Sequence, residues 1–510
     1  MSDAKRKLLL VLVVVLFVGA ALTDRALDPA AVRIRDYMKN QSGGGGGELM
    51  VQLPGQFMVA SVSGFKEVLA GALWVKADDF FHMGQYQAII PIVRLVTWLD
   101  PHNLDVFTTG AWHLDYNFVT EGQMSDKRYI PPAIALLKEG IKNNDKIWDL
   151  YFELGWTHYN KKLQDYEKGL EYMEKACKLE GYDVNTGAKI DRPEYTDRML
   201  AHQYEKVGRF ADAVKQWGVA RRRVEEIIRR DEAKRKPGTP PDYGALSSLD
   251  VCDRNLALLY LRLAYRYGDD KVEKLYGIKN AYAKGVAIYE RLASNPKSPQ
   301  DVVDSAKNAR ADLNRRAAAG SWPHDALKPL DAGFQVSWTK AAPRVLIIRG
   351  KINLINSSEY KDLGSEVITH WYRENEKAPA NQKRAWRDGC RVKWMLTDYD
   401  YKMPELETFD WKIDTTRTVI WDSLYVSGGT FSDKLDFSKK VDREFFPFKS
   451  DKYKLTVWYV PQDPDAPDYV QDRIGWKGEA LTDKRYLDTK TKPGFNCLRT
   501  EFVLDKKDIL

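Results

Sequence analysis

The chain has 510 residues, which at about 150 residues per domain is enough for three or four domains that each bury their own core. Hydrophobic residues make up 44% and charged residues 30% of the chain, a balance that excludes a mostly disordered protein and one with many membrane spans. The net charge of +7 comes from 79 basic and 72 acidic residues, so the composition argues against dedicated nucleic-acid binding.

The first predicted element is the apolar run at positions 8–22, which follows three cations at positions 5–7. Its 15 residues fall short of the roughly 20 that span a bilayer comfortably, and they match the apolar region of a signal peptide. Residues 1–24 are therefore predicted to be a signal anchor or a removed signal peptide, with the anchor preferred. Because cations stay on the cytoplasmic side, we expect a single-pass protein of a cytoplasmic membrane, with the bulk of the chain outside the cytoplasm; the resemblance described below implies that this membrane is bacterial.

A run of five consecutive glycines follows at positions 43–47. Glycine loses more backbone entropy on folding than any other residue and offers no side chain to bury. Residues 25–63 are therefore predicted to form a flexible tether between the membrane segment and the folded part of the chain.

A helical repeat is clearest near residue 200. A large and a small residue face each other in its first helix, a glycine breaks the chain, and a small-large-small pattern follows in its second helix. The positions are Leu200, Ala201, Tyr204, Gly208, Ala213, Trp217 and Ala220. This pattern resembles the tetratricopeptide repeat, whose units are pairs of antiparallel helices.

Related patterns recur along the chain and predict about five helical hairpins within residues 64–322, with residues 299–319 closing the stack. One hairpin is too small to bury its own apolar face, so the hairpins must stack, and a stack of this kind curves into an extended concave surface. Such a surface binds polypeptides. The resemblance therefore implies a protein or peptide partner held in the groove of an α-solenoid.

Five segments carry a narrower resemblance over roughly residues 60–220. They are Gly64–Ala70, Leu73–Asp78, Trp98–His102, Ala111–Asn117 and Leu150–Trp156. Together they are similar to uncharacterised membrane-anchored bacterial proteins with tetratricopeptide repeats. The resemblance implies a scaffolding role and no particular reaction.

Six polar or amphipathic residues on first-helix positions are predicted to line the concave face and to contact the partner, because first helices line that face in this architecture. They are Lys76, Asp79, Tyr116, Asn117, His158 and Tyr204.

After residues 322–323 the helical spacing gives way to short β-branched and aromatic runs, which predicts a separate domain over residues 328–510. Its predicted strands are Arg344–Arg349, Lys351–Ile355, Val392–Leu396, Thr418–Trp421, Lys454–Val460 and Leu498–Leu504. Several of them alternate apolar and polar residues, which favours an antiparallel two-layer β-sandwich. The predicted fold class is thus a membrane helix, an α-solenoid and a β-sandwich.

Four tryptophans of this domain indicate an alternative function for the chain. Trp371, Trp386, Trp411 or Trp476 could stack on the rings of a polysaccharide, although tryptophans in a β-domain more often belong to its core. The alternative prediction is therefore an envelope polysaccharide-binding protein, in which the β-domain binds a glycan and the repeats are a spacer.

No motif for catalysis, metal binding or cofactor binding is found in the sequence. His-Glu-x-x-His, Gly-x-Ser-x-Gly and a phosphate-binding Gly-Lys-Ser/Thr loop are all absent. The chain has four cysteines without zinc-site spacing, Cys177, Cys252, Cys390 and Cys497. If the chain is exported, two of them could form a disulfide, and the sequence does not say which two. We therefore predict a non-catalytic scaffold without cofactor or metal that does not bind nucleic acid.

Overall fold

The structure is a computed structural model. It describes residues 66–117, 127–182, 188–296, 327–354, 387–409, 414–440, 446–463 and 468–510, with a few more between 298 and 311 and near 443 and 466. The chain divides into two units. The first comprises Met1–Leu154 with Lys402–Thr415, and the second comprises Gly155–Tyr401 with Thr416–Leu510.

Helices make up most of the described part of the first unit. They are α1 (Lys66–His82), α2 (Tyr86–Leu99), α3 (Leu104–Trp112), α4 (Ile130–Asn143) and α5 (Trp148–Phe152), with a π-helical turn at His113–Asn117 and a 3-10 turn at Lys127–Tyr129. α1 packs against α2, and α3 packs against α4.

Local sequence explains where these helices begin and how closely they approach. The side chain of Asn103 accepts a hydrogen bond from the backbone N–H of Val106 and caps the start of α3. Prolines occupy the first turn of α4, where the backbone N–H groups have no partner within the helix. A Cβ added to Gly140 would lie 2.7 Å from Phe107 Cγ, so glycine is what lets α3 and α4 cross so closely.

The second unit begins inside a π-helical stretch, Glu153–Leu163, and continues with six helices. They are α6 (Tyr166–Lys178), α7 (Tyr195–Lys206), α8 (Phe210–Lys234), α9 (Tyr243–Tyr267), α10 (Asp269–Tyr276) and α11 (Ala281–Ser294). Two short strands, β1 (Gly181–Tyr182) and β2 (Lys189–Ile190), pair as an antiparallel hairpin between α6 and α7.

The hairpin predicted around Gly208 is confirmed. α7 and α8 pack together, and Gly208 between them has φ +75°, a left-handed conformation that favours glycine. Ala213, Trp217 and Ala220 of α8 are all fully buried. The small-large-small pattern therefore marks the core-facing side of the second helix, as the sequence predicts.

From residue 327 onward, the residues of the second unit that the structure describes form an antiparallel sheet and two short helices. Its strands are β3 (Gln335–Ala342), β4 (Val345–Lys351), β5 (Arg387–Asp398), β6 (Val419–Ser427), β7 (Thr430–Asp436), β8 (Lys452–Tyr459), β9 (Leu487–Asp488) and β10 (Cys497–Asp505). The spatial order is β3-β4-β7-β6-β5-β8-β10-β9. The helices are α12 (Asp468–Ile474) and α13 (Lys506–Ile509).

The predicted β-sandwich is wrong. All eight strands from β3 to β10 are hydrogen-bonded into one sheet, which curls into a half-barrel. Alternating burial predicts that a strand has one buried face, and it does not say what covers that face. In β8, Tyr453, Leu455, Val457 and Tyr459 are fully buried on one side. A sheet that curls can bury such a face against its own concave side, so a second sheet is not required.

Besides the two-residue β9, two strands of the sheet, β3 and β7, are not predicted from the sequence. β7 carries Ser432, Asp433 and Lys434 in its middle, and it lacks the β-branched and aromatic run that marks a strand. β3 is the edge strand of the sheet and is exposed along most of its length. Both strands are held by pairing with β4, a contact that no local pattern reveals.

Helices and sheet share one core in the second unit. The ring of Trp476, in the segment after α12, meets the ring of Phe210 of α8 edge to face at 4.8 Å. The hydroxyl of Tyr267 at the end of α9 donates to Glu479 Oε1 over 3.0 Å. Phe495 and Cys497 belong to the same apolar cluster as the faces of α8 and α9.

The predicted membrane topology and localisation are corrected. Within the described part of the chain, no helix combines the length and the apolar character that crossing a membrane requires. The run at positions 8–22 and the tether over 25–63 lie outside the described residues, and so do most of residues 299–326, where the closing helix and the domain boundary are predicted. An apolar run of 15 residues is itself shorter than the roughly 20 that span a bilayer, so the single-pass anchor is withdrawn.

None of the four cysteines, all of which the structure describes, forms a disulfide. Cys252, Cys390 and Cys497 are buried, and Cys177 is half-buried. Burial raises the pKa of the Cys177 and Cys252 thiols to about 12 each. Both thiols therefore stay protonated at neutral pH and are poor nucleophiles.

Candidate partner-binding surfaces

Two of the predicted partner-binding residues lie together on α1. Lys76 and Asp79 are both exposed, and Lys76 Nζ lies 3.2 Å from Asp79 Oδ2. Lys76 Nζ also lies 5.0 Å from the centre of the Phe80 ring. An exposed ion pair of this kind contributes little to stability, so both side chains are available to a partner.

Tyr116 and Asn117 end the π-helical turn that continues α3. The Tyr116 ring stacks against the Trp112 ring with their centres 6.1 Å apart. Burial, reinforced by the neighbouring Asp115 and Glu153, raises the pKa of Tyr116 well above its ordinary value. The phenol is therefore neutral and can donate a hydrogen bond at physiological pH.

A continuous set of aromatic rings joins α1 to α3. The ring of Phe81 lies 5.5 Å from that of His82 and 4.7 Å from that of His113. The ring of Trp112 lies 5.7 Å from that of His113, and Trp112 is 41% exposed. We call Phe81, His82, Trp112, His113 and Tyr116 the aromatic surface; its exposed rings are His82 and Trp112, whereas His113 is buried. Sequence reasoning found only Tyr116, because the ring contacts between helices follow from packing.

Carboxylates border the aromatic surface. Asp78 Oδ2 lies 3.5 Å from the ring nitrogen Nδ1 of His82. Asp115 and Glu153 lie close enough to Tyr116 that their charges raise the pKa of its phenol. Burial lowers the pKa of His113, and Asp78 opposes the shift only partly, so the His113 ring is neutral at pH 7. Negative charges beside aromatic faces create a surface that attracts cations.

The remaining two predicted residues belong to the second unit. His158 is fully buried in the π-helical stretch, so its side chain does not reach the surface. Tyr204 is half-buried on α7, and its hydroxyl donates to Glu174 Oε1 over 2.7 Å. Arg209 lies 4.7 Å from the Tyr204 ring and pairs with Glu174 at 3.0 Å. Of the six predicted residues, His158 is therefore excluded from a partner-binding surface because its side chain is buried.

A segment from the loop between β5 and β6 belongs to the first unit. In this segment, residues 402–409, which we call the strap, the backbone N–H of Phe409 donates to Glu139 Oε2 of α4 over 3.1 Å. The Phe409 side chain is 3% exposed, and its ring lies 6.0 Å from the guanidinium of Arg94 on α2. Arg94 Nη1 in turn donates to both Glu139 oxygens, at 2.8 and 3.0 Å.

Replacing Phe409 by alanine is expected to release the strap. The substitution removes the buried ring, whereas the ion pair of Glu407 with Lys138 at 2.7 Å is formed by a carboxylate that is 78% exposed and contributes less than about 1 kcal/mol. Limited proteolysis should therefore cut the strap of Phe409→Ala at least about tenfold faster than that of the wild type. Glu407→Gln is the matched control and should be cut at nearly the wild-type rate. Equal cleavage of Phe409→Ala and the wild type would show that the ring does not hold the strap.

Comparison with known proteins adds little to this picture. No protein family and no curated protein matches the sequence. Among solved structures, the crystal structure of MamA protein is similar to this chain with a TM-score of 0.25 and 14% sequence identity, over 45% of this chain and 97% of that chain. Because a TM-score this low does not establish a common fold, the assignment of helical repeats rests on the hairpins themselves.

Proposed function

We propose that this chain is a non-catalytic scaffold and that the aromatic surface of its first unit binds a segment of a partner protein. The observation that carries the proposal is the aromatic surface itself, in which five rings from two helices contact one another and Trp112 remains 41% exposed. Tryptophan and tyrosine are the side chains most often found at the centre of protein interfaces.

The charges around these rings favour a cationic partner segment. An arginine or lysine placed on the exposed face of Trp112 would gain a cation–π interaction. It would also lie in the field of Asp78, whose charge acts on His113, and of Glu153, whose charge acts on Tyr116. An acidic segment would meet like charges at the same place, and this repulsion excludes it.

Catalysis is not part of the proposal. A catalytic site needs a partly dry, enclosed pocket in which charges act strongly. The side chains of Asp78 and His82 are 68% and 69% exposed, so water screens the pair. A surface of this kind is suited to binding.

The polysaccharide-binding alternative gains no support from the residues that the structure describes. Trp476 is 7% exposed, with its ring against Phe210 and the Arg266 guanidinium 4.9 Å away. Its faces are therefore covered by protein. Trp371, Trp386 and Trp411 lie outside the described residues, so for them the alternative stays a prediction.

Peptide binding by matched variants tests the proposal. Two synthetic peptides of equal length, one alternating arginine with leucine and one alternating glutamate with leucine, are titrated into the full chain and followed by fluorescence anisotropy. We expect the arginine peptide to bind to the wild type. Trp112→Ala should lower the affinity for this peptide about tenfold, because the variant lacks one exposed aromatic anchor. Trp98 on α2, which is 60% exposed, supplies the control, and Trp98→Ala should bind as the wild type does.

Two results would contradict the proposal. One is preferential binding of the glutamate peptide, because the carboxylates should repel it. The other is equal loss of affinity in Trp112→Ala and Trp98→Ala, which would mean that any exposed tryptophan suffices.

A further inference from the structure

One edge of the sheet is open to strand pairing. β3 is the edge strand, and among the residues that the structure describes no other strand pairs with its outer side. An edge strand presents backbone N–H and C=O groups that have no partner in the sheet. Such an edge is the place where an extended segment of another protein can add as a further strand.

The hydrogen bonds beside β4 show which groups of β3 face outward. The backbone N–H of Ile352 donates to Gly429 on the β7 side, and that of Asn353 donates to Ala332 on the β3 side. Because successive residues of an antiparallel strand bond to alternate sides, the odd-numbered residues of β4 bond to β3. The β3 partners of three of them are Gln335, Ser337 and Thr339.

The residues between these partners therefore point their backbone groups away from β4. They are Val336, Trp338 and Lys340, and no hydrogen bond joins their N–H or C=O groups to any described residue. A lysine often blocks such an edge, but the ammonium of Lys340 donates to the carbonyl oxygens of Lys507 and Leu510 over 2.7 and 2.8 Å. The lysine is thus turned toward α13, and the edge stays open.

The two faces of this edge differ in character. Val336 and Trp338 are half-buried, whereas Gln335, Ser337 and Thr339 are exposed. On an added antiparallel strand, the residues opposite Val336 and Trp338 would form the hydrogen bonds with β3 and would share their half-buried face. β-Branched side chains pair well with such neighbours, so these positions of the added strand favour valine or isoleucine.

Two cations lie beside the exposed face of β3. Arg349 and Lys351 of β4 lie opposite Ser337 and Gln335 in the register of the two strands. Both cationic side chains are exposed. Within the described part of the chain, neither of them forms an ion pair.

No acidic residue of β3, β4 or β7 balances these two cations. β3 and β4 contain no acidic residue. On β7, Asp436 pairs with Lys434 at 3.1 Å, and Asp433 lies opposite the buried Ile348 and so belongs to the other face. Asp331, which precedes β3, accepts from the backbone N–H of Gly333 over 2.9 Å. The exposed face at this edge therefore favours negative charge in a partner.

We propose that the free edge of β3 binds an extended acidic segment of a partner protein, which adds to the sheet as an antiparallel strand. Its apolar residues lie beside Val336 and Trp338, and its acidic residues alternate with them and lie beside Gln335 and Ser337. Adjacent strands are about 5 Å apart, so a glutamate of the added strand and Arg349 meet above the short side chain of Ser337.

Charge decides against two other occupants of the edge. A cationic segment would meet Arg349 and Lys351 and would be repelled. A second copy of β3 would place Gln335, Ser337 and Thr339 on this face, and none of them carries a carboxylate. It would also bring two more cations to the same face. The inference does not depend on the aromatic surface, which belongs to the first unit.

Two fluorescent peptides test the charge preference. Both match β3 in length, and one alternates valine with glutamate whereas the other alternates valine with lysine. The full chain is titrated into each at about 50 mM salt, where screening is weak, and binding is followed by fluorescence anisotropy. We expect saturable binding of the glutamate peptide and no binding of the lysine peptide. Equal binding of both peptides, or binding of neither, overturns the proposal.

Methylation of the peptide backbone tests strand addition and leaves the protein unchanged. In the proposed pairing, the valine N–H groups point toward β3 and the glutamate N–H groups point toward solvent. A peptide built with N-methylvaline should therefore lose at least about tenfold in affinity, because several hydrogen bonds are removed. A peptide built with N-methylglutamate should bind almost as tightly as the unmethylated peptide. Equal losses in the two methylated peptides would contradict strand addition.

A proline variant locates the site on β3. Trp338→Pro removes an outward N–H that the sheet does not use, and an edge strand tolerates proline. The glutamate peptide should bind to this variant at least about tenfold more weakly. Trp338→Ala keeps the N–H and is the matched control, with a smaller loss. Unchanged affinity in Trp338→Pro overturns the proposal, and so does a dimeric wild type that becomes monomeric in Trp338→Pro, because a second copy would then occupy the edge.

Charge variants test the two cations. Arg349→Ser/Lys351→Ser should weaken binding of the glutamate peptide about threefold, since exposed ion pairs contribute little individually. Salt at about 500 mM should remove most of this difference by screening. Lys274 on α10 is exposed, so Lys274→Ser is the control and should bind as the wild type does. An affinity of the double variant equal to that of the control would contradict the acidic character of the partner.

The edge and the aromatic surface are separated by their own variants. The glutamate–leucine peptide used for the aromatic surface can also add to this edge, so that comparison is made in the Trp338→Pro background. Trp112→Ala should leave the affinity for the valine–glutamate peptide unchanged. A loss in Trp112→Ala as large as that in Trp338→Pro would place this peptide on the aromatic surface and overturn strand addition at β3.

Discussion

Replacing Trp217 by alanine is expected to lower the free energy of unfolding of the second unit by about 4 kcal/mol, the usual cost of emptying the space of a buried tryptophan. Trp217 is fully buried on α8, and its ring meets the His202 ring of α7 edge to face at 4.7 Å. Its indole N–H donates to Glu205 Oε1 over 2.6 Å. The substitution therefore leaves a cavity and deprives a buried carboxyl group of its donor.

Two further variants separate these effects. Trp217→Phe keeps most of the ring volume and loses the hydrogen bond, so its cost should be intermediate. Val219 on the same helix is 39% exposed, and Val219→Ala should change stability by no more than about 0.5 kcal/mol. Because the chain has two units, urea unfolding is best followed by hydrogen exchange at the amides of α7 and α8. A cost for Trp217→Ala no larger than that for Val219→Ala would contradict the packing of this hairpin.

Replacing Glu205 by glutamine is expected to stabilise the second unit at pH 8 and to leave its stability almost unchanged at pH 4.5. Burial raises the pKa of Glu205 from 4.5 to about 7, although the Trp217 hydrogen bond and the charges of Arg262, Arg266 and Lys206 oppose the shift. The buried side chain therefore prefers its neutral form. Glutamine is a neutral group of the same shape and keeps an oxygen that accepts from Trp217.

The sign of the pH effect follows from proton binding. Between pH 4.5 and about 7, folded Glu205 holds a proton that the unfolded chain has released, so the stability due to this group falls as the pH rises. A shift of this size corresponds to about 3 kcal/mol in total. This amount is the expected stabilisation by Glu205→Gln above pH 7.

His202 acts in the opposite direction over an overlapping range. Burial, with Lys206, Arg198 and Arg262, lowers the pKa of His202 to about 4, so its contribution to stability rises with pH up to about 6.5. The test is therefore the difference in unfolding free energy between wild type and Glu205→Gln at several pH values, in which the His202 contribution largely cancels. Glu232→Gln, at an exposed position of α8, is the control. A difference that does not grow between pH 4.5 and 7 would show that Glu205 is ionised throughout.

The helical hairpins could be predicted from sequence because their determinants are local. In the hairpin around Gly208, the positions Ala213, Trp217 and Ala220 recur at the helical period and are all buried. Strand segments such as Lys454–Val460 were found for the same reason, since alternation along one strand reports its buried face. The structure places β8 there, at Lys452–Tyr459.

The candidate sites could be predicted only in part. The position of Tyr116 on a first helix predicts a partner contact, and the structure adds the ring of Trp112 beside it and the contact of Phe81 with His113. His158, chosen by the same rule, is fully buried. Periodicity places a residue on one face of a helix, whereas the exposure of that face depends on which other element covers it.

Sequence by itself determined the period and the polarity of each element: paired helices through residue 294, and antiparallel strands with one buried face after residue 335. Only the tertiary structure decided that the strands form one curled sheet and that Phe409 packs on α2 and α4. The physical reason is the separation along the chain between the residues that determine each feature. Periodicity and caps act within a few residues of the chain, whereas these contacts join residues that are tens to hundreds of positions apart and exist only once the chain has folded.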